Sequence, residues 1–247
     1  MSEEPSFFIG VDPSDPYAEN KRPCARAILR PDLHCEFDYW QYARTGAAIV
    51  PPDKAQFPYI LAVDGPQGLA GTPGQEMRVC DQCLGTAGKS PYDLPDIKDP
   101  YKRPYSGFVR GSIELFYSLH KSGFYLLGIQ KAELLHTNLI EVYPGRAWLE
   151  LFNHLEKLLE KKILEKKRSP EGRRQRYMLL SNQGVVFDPK HSFDKPPTHD
   201  ELDAAMAAYI AFLFKHEKTH NYGRDPYEDA SLGVLREGLI VQPSFYV

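Results

Sequence analysis

The chain has no apolar run approaching the ~20 residues that a bilayer-spanning helix needs, which argues against a helical membrane protein. It has only four cysteines, Cys24, Cys35, Cys80 and Cys83, and their spacing does not make a secreted disulfide framework. Cys80 and Cys83 form a lone C-x-x-C. A structural zinc site needs four ligands, and Cys24 and Cys35 have the wrong spacing for a second pair. Residues 1–6 are acidic rather than basic, unlike a secretory signal. A reducing, cytoplasmic compartment is therefore the expectation. An excess of positive charge is also missing, with 30 Lys and Arg against 33 Asp and Glu. A protein that coats DNA gains most of its affinity by neutralising phosphates, so this balance disfavours that class. It still allows an enzyme that grips nucleic acid locally. No G-x-x-x-x-G-K-[ST] or G-x-G-x-x-G loop is present, against an ordinary nucleotide-binding enzyme. There is no G-x-S-x-G elbow, no internal repeat and no low-complexity segment.

What is present suits a globular core. With 247 residues, 42% hydrophobic and 26% charged, the chain reads as one α/β domain over 1–247, with insertions near 65–106 and 155–196. Phe7-Phe8-Ile9-Gly10-Val11-Asp12 and Tyr59-Ile60-Leu61-Ala62-Val63-Asp64 are apolar on both faces and end in a carboxylate, the pattern of buried central strands. Residues 25–29 and 35–42 are candidate second and third strands of a meander. Residues 139–143 are another strand, stopped by Pro144-Gly145, and 238–241 could add a last short one. Helical patterns cover 51–56, 112–122 and the stretch from Ala147, where Trp148, Leu151, Phe152 and Leu155 share a side. The clearest helix begins at Thr198. Thr198 and Glu201 make a capping box, and Leu202, Met206, Tyr209, Ile210 and Leu213 form its apolar stripe.

The two strand-final aspartates are the first functional signal. If the strands lie side by side and parallel, Asp12 and Asp64 project from one sheet edge ~4.8 Å apart. Ligand sites of open α/β sheets form at that edge. Two carboxylates so close repel unless a proton or cation intervenes, and Mg²⁺ or Mn²⁺ prefers oxygen ligands. Asp203 lies at the border of the last helix's apolar stripe, where a charge needs a partner. Asp200, three residues earlier, shares its face. Ala204, Ala205, Ala207 and Ala208 would let this helix approach the sheet closely. Other readings stand beside these. An aspartate closing a strand also caps turns, and Asp200 in the first helical turn suits the helix dipole. Glu141, on a strand that reads as buried, belongs either to the metal site or to an ion pair with Arg78 or Arg146.

In order along the chain come Gly-Val-Asp, Leu-Ala-Val-Asp-Gly-Pro, Met-Arg-Val-Cys-Asp, Ile-Glu-Val-Tyr-Pro-Gly-Arg-Ala-Trp, His-Asp-Glu-Leu-Asp-Ala-Ala and Glu-Gly-Leu-Ile-Val-Gln-Pro. This series resembles domain-of-unknown-function family 429 from Ile9 to Pro243. The resemblance implies an RNase H-like core, a mixed five-stranded sheet flanked by helices. The closing helix also resembles that of RuvC-like junction resolvases. The resemblance assigns catalytic or metal-binding roles to Asp12, Asp64 and Asp203, with Asp200 as an alternative ligand; Glu141, from its place on a buried strand, is a further catalytic candidate. The chain departs from the RuvC-like pattern in having Asp64 where a glutamate is typical. Under this reading the cofactor is Mg or Mn, and Arg78, Lys131 or Arg146 and His199 serve phosphate binding and proton transfer. The basic stretch with Lys166, Lys167, Arg168, Arg173, Arg174 and Arg176 then guides a nucleic-acid strand, or is simply a solvated surface.

Two function classes follow: a metal-dependent nuclease acting on DNA or RNA, and a non-catalytic RNase H-like binding or scaffold protein. A sugar-kinase-like ATPase also opens with a strand ending in Asp, but this chain is short for two lobes and lacks a second phosphate loop.

Overall fold

Strands that are apolar on both faces must be covered on both, and the chain achieves this with one sheet between helical layers. The computed structural model describes residues 4–98, 105–129, 137–155 and 163–245. Its elements in order are β1 (Phe7–Asp12), β2 (Cys24–Leu29), β3 (His34–Trp40), β4 (Tyr59–Asp64), α1 (Val79–Leu84), α2 (Ser106–Lys121), β5 (Leu139–Val142), α3 (Pro144–Leu155), α4 (Pro170–Asn182), β6 (Val186–Phe187), α5 (His199–Lys215), β7 (Thr219–Asp229) and β8 (Val234–Pro243). The described strands form a single sheet in the order β6-β3-β2-β1-β4-β5-β8-β7. The segment β1 to β3 is an antiparallel meander. Strands β4 and β5 run parallel to β1.

The sheet therefore has eight strands, not the expected five. β6 is two residues long and offers no pattern to read. β7 is a polar edge strand, largely exposed, with Pro226 and a register shift between Arg224 and Tyr227. Such features blunt an edge against further pairing, and they also erase the alternation that marks a strand. β8 runs over ten residues rather than 238–241. Residues 51–56 form hydrogen-bonded turns, with Lys54 N and Ala55 N both donating to Pro51 O at 2.9 Å. Pro58 follows closely, and the residue before a proline is pushed out of the helical region. Conversely, the basic stretch holds α4, started by Ser169, whose hydroxyl accepts from Gly172 N, with Pro170 following.

The period-two alternation of the strands divides the core. Phe8, Ile60, Ala62, Ile140 and Val142 pack with α3 and α5 on one face. Ile9, Val11, Leu61, Val63 and Leu139 pack with α2 on the other. Parity then sends the final residues Asp12 and Asp64 to the α5 face. Glu141 is in register with Val63, so parity sends it to the opposite face.

α5 sits directly on the sheet centre. A Cβ at Gly10 would lie 2.0 Å from Ala204 O and 2.4 Å from Ala208 N. Only glycine allows this approach, and the alanines opposite it complete the fit. The capping box fixes where α5 starts. Thr198 Oγ1 accepts from Glu201 N at 3.2 Å, and Glu201 Oε2 accepts from Thr198 N at 2.7 Å.

Candidate active site

At the carboxyl edge of β1, β4 and β5 lies a cavity of about 540 Å³. Its lining includes Asp12, Asp64, Asp200 and Asp203, together with Lys167 and His199. The parallel pairing of β1 with β4, through Val11 opposite Val63, brings the two strand-final aspartates together. The close approach of α5 at Gly10 adds Asp203 from above.

Asp203 is 2% exposed, one turn inside α5. Trp148 Nε1, from α3, donates to its Oδ1 at 2.7 Å. Lys167 Nζ donates to its Oδ2 at 2.6 Å. Both oxygens of a buried carboxylate are thus satisfied, one by a neutral donor and one by a cation. Asp12 and Asp64 border the cavity and keep some exposed area, but protein surrounds them closely. Burial holds Asp12 well above the usual carboxylate range, reinforced by the charges of Asp64, Asp203 and Asp200 and opposed by Lys167. Burial and Asp203 push Asp64 up to about 8, again against Lys167. These are the signs of acids crowded around too little positive charge.

Of the remaining candidates, Asp200, Glu141 and Arg78 also line the cavity, and Arg146 does not. Asp200 is half-exposed at the cavity and pairs with His199 Nε2 at 3.0 Å. Glu141 pairs with Arg78, one of the two arginines considered for it. Arg78 Nη1 and Nη2 donate to the two carboxylate oxygens, both at 2.7 Å. The same guanidinium donates to Asp81 at 3.1 and 2.8 Å. Arg78 is 1% exposed, and all this binding pins α1 and its loop to β5. Asp81 additionally accepts from Thr86 Oγ1 and Ser90 N. Arg146 is exposed on α3, pairs with Glu150 at 2.8 Å and does not line the cavity. Lys131 lies outside the described residues.

Four residues in or beside the cavity carry roles that the sequence did not single out. Trp148 reads there as core, although an indole N–H on a buried face needs an acceptor, and Asp203 is the buried acceptor nearby. Lys167 reads only as part of a basic run. Arg22 and Arg168 line the cavity as exposed cations at its rim.

As for a metal, the donors fit in kind: hard carboxylate oxygens with raised proton affinity. Among the described residues, however, no three His, Cys, Asp or Glu side chains stand in an arrangement ready to hold an ion. Among the same residues no helix is long and apolar enough to cross a membrane.

No curated protein and no solved structure matches the chain. The family model described as "Protein of unknown function (DUF429)" matches residues 10–228, from β1 to near the end of β7. That is most of the sequence and includes every acid of the cavity floor, so the chain belongs to the DUF429 family.

Proposed function

We propose that the protein is a metal-dependent nuclease with an RNase H-like core. One observation carries this reading: Asp12, Asp64 and Asp203, far apart in sequence, meet at the carboxyl edge of parallel strands and share a single lysine. A meander β1–β3 continued by parallel β4 and β5, with α5 laid across the centre, supports the RNase H-like assignment. Asp12 and Asp64 would hold a divalent cation with Asp203, and Asp200, at the cavity wall, would be a fourth oxygen donor. When bound, Mg²⁺ or Mn²⁺ supplies an activated water and charge stabilisation on the leaving oxygen. Arg22 and Arg168 at the rim would hold phosphate groups on either side of the scissile one. His199, paired with Asp200, would pass a proton between the cavity and solvent.

The test is cleavage of single-stranded, duplex and branched DNA, and of RNA, with Mn²⁺ present. Activity should vanish in both Asp12→Asn and Asp203→Asn. Activity that survives both substitutions belongs to a contaminant. Binding without cleavage by the unaltered protein would instead support the scaffold reading.

A further inference from the structure

We infer that Lys167 is a tethered counter-cation, holding the carboxylate cluster together in the metal-free protein and leaving it when a divalent ion binds. The inference rests on the metal reading of the site. Its geometric basis is the 2.6 Å contact between Lys167 Nζ and Asp203 Oδ2. The two ends of that pair differ sharply: the Asp203 side chain is 3% exposed and the Lys167 side chain 47% exposed. The other oxygen of Asp203 is held by an indole fixed in the core, which has nowhere to go. The lysine sits on a four-carbon stem open to solvent, so it can swing out without disturbing the fold.

Asp12 and Asp64 also feel this ammonium, which lowers the proton affinity of both. Lys167 in turn is held above its ordinary value. Burial works against its charge, and Asp203, Asp12 and Asp64 outweigh that. Among the described residues, the two buried arginines nearby are engaged elsewhere. Arg78 is committed to Glu141 and Asp81. Arg176 spends its Nη1 on the carbonyls of Glu165 and Gly172. A divalent ion on the same oxygens would repel the ammonium at contact distance, so the two occupy the cluster as alternatives. This also accounts for why the acids are crowded yet not set at metal-holding geometry.

The test uses Mn²⁺ alone, in two readouts. In the unaltered protein, acylation of Lys167 by an amine-reactive ester, followed by peptide mass spectrometry, should rise severalfold on adding Mn²⁺, with Lys166 as the unchanged control. By calorimetry, Lys167→Gln and Lys167→Met should bind Mn²⁺ more tightly, on the order of tenfold. If Mn²⁺ binds and Asp12→Asn abolishes that binding, but labelling and affinity do not respond to the ion or the substitutions, the lysine inference alone is overturned. If the unaltered protein and the lysine variants all ignore millimolar Mn²⁺, the metal reading falls and takes this inference with it. The labelling arm decides the matter should the substitutions prevent folding.

Discussion

Asp203 keeps a charge inside a helix-sheet interface because two donors reach it, and each can be removed separately. Trp148→Phe deletes the indole N–H and part of the ring volume, so a cavity cost adds to the lost hydrogen bond. The lost bond should cost about 1–3 kcal/mol in urea unfolding, the range for leaving a buried charged acceptor short of a donor. In an Asp203→Asn background the same change should cost less, since the acceptor is no longer charged; additive losses would show that the hydrogen bond contributes nothing specific. Arg78 presents the opposite case, one cation serving two buried acids. Arg78→Met leaves Glu141 and Asp81 without their partner and should cost about 3–5 kcal/mol. Adding Glu141→Gln should recover part of that loss, and an equal or larger loss in the double variant would sink this account. The sequence made plain that Glu141 needed a partner, because a buried strand carries its charge. It offered two arginines for the role, and the choice was settled by sheet parity together with the loop that brings Arg78 back over β5.

At the scale of elements, the site is positioned by one close crossing. Gly10 lets the backbone of α5 rest against β1, and that crossing sets how far Asp203 stands above Asp12 and Asp64. Gly10→Ala places a methyl 2.0 Å from Ala204 O, a backbone atom that moves only with its helix. The expected loss is about 1–3 kcal/mol from overpacking, with a weakened thermal shift on Mn²⁺ as Asp203 is carried away. A variant with unchanged melting and an unchanged Mn²⁺ response would mean α5 is not what fixes the site. The elements that build this crossing were legible in the sequence, because each carries a strong local signal. β1 and β4 are unbroken apolar runs, and α5 has its capping box and alanines. What escaped has weak or conflicting signals. β7 pairs through its backbone while its side chains face solvent, so no alternation survives. α4 presents arginines where a helix stripe would be sought, although Ser169 and Pro170 mark its start.

For the whole molecule, the consequence of gathering these acids is a stability that depends on pH in a particular direction. Asp64, pushed up to about 8, and Asp12, raised by burial and its acidic neighbours, bind protons in the folded state that the unfolded chain releases near pH ~4. Between those limits the folded protein holds more protons on these two acids, so their contribution to stability in the metal-free protein is greatest at the acid end and is lost as pH rises toward about 8. The loss from one such group is at most ~1.4 kcal/mol per pH unit, the slope for one whole proton released. Denaturant midpoints in a chelating buffer from pH 5 to 8 should therefore fall in the unaltered protein and fall less in Asp64→Asn, which has no proton to lose. Lys167 softens the slope without reversing it, because its ammonium opposes the proton affinity of both acids. A divalent ion should flatten it, because the ion and the protons compete for the same oxygens and ion binding strengthens as the protons leave. The stabilisation by Mn²⁺ should accordingly grow with pH over the same window. Equal slopes for the unaltered protein and Asp64→Asn would place the titration elsewhere and remove the electrostatic ground for a cation site at this edge of the sheet.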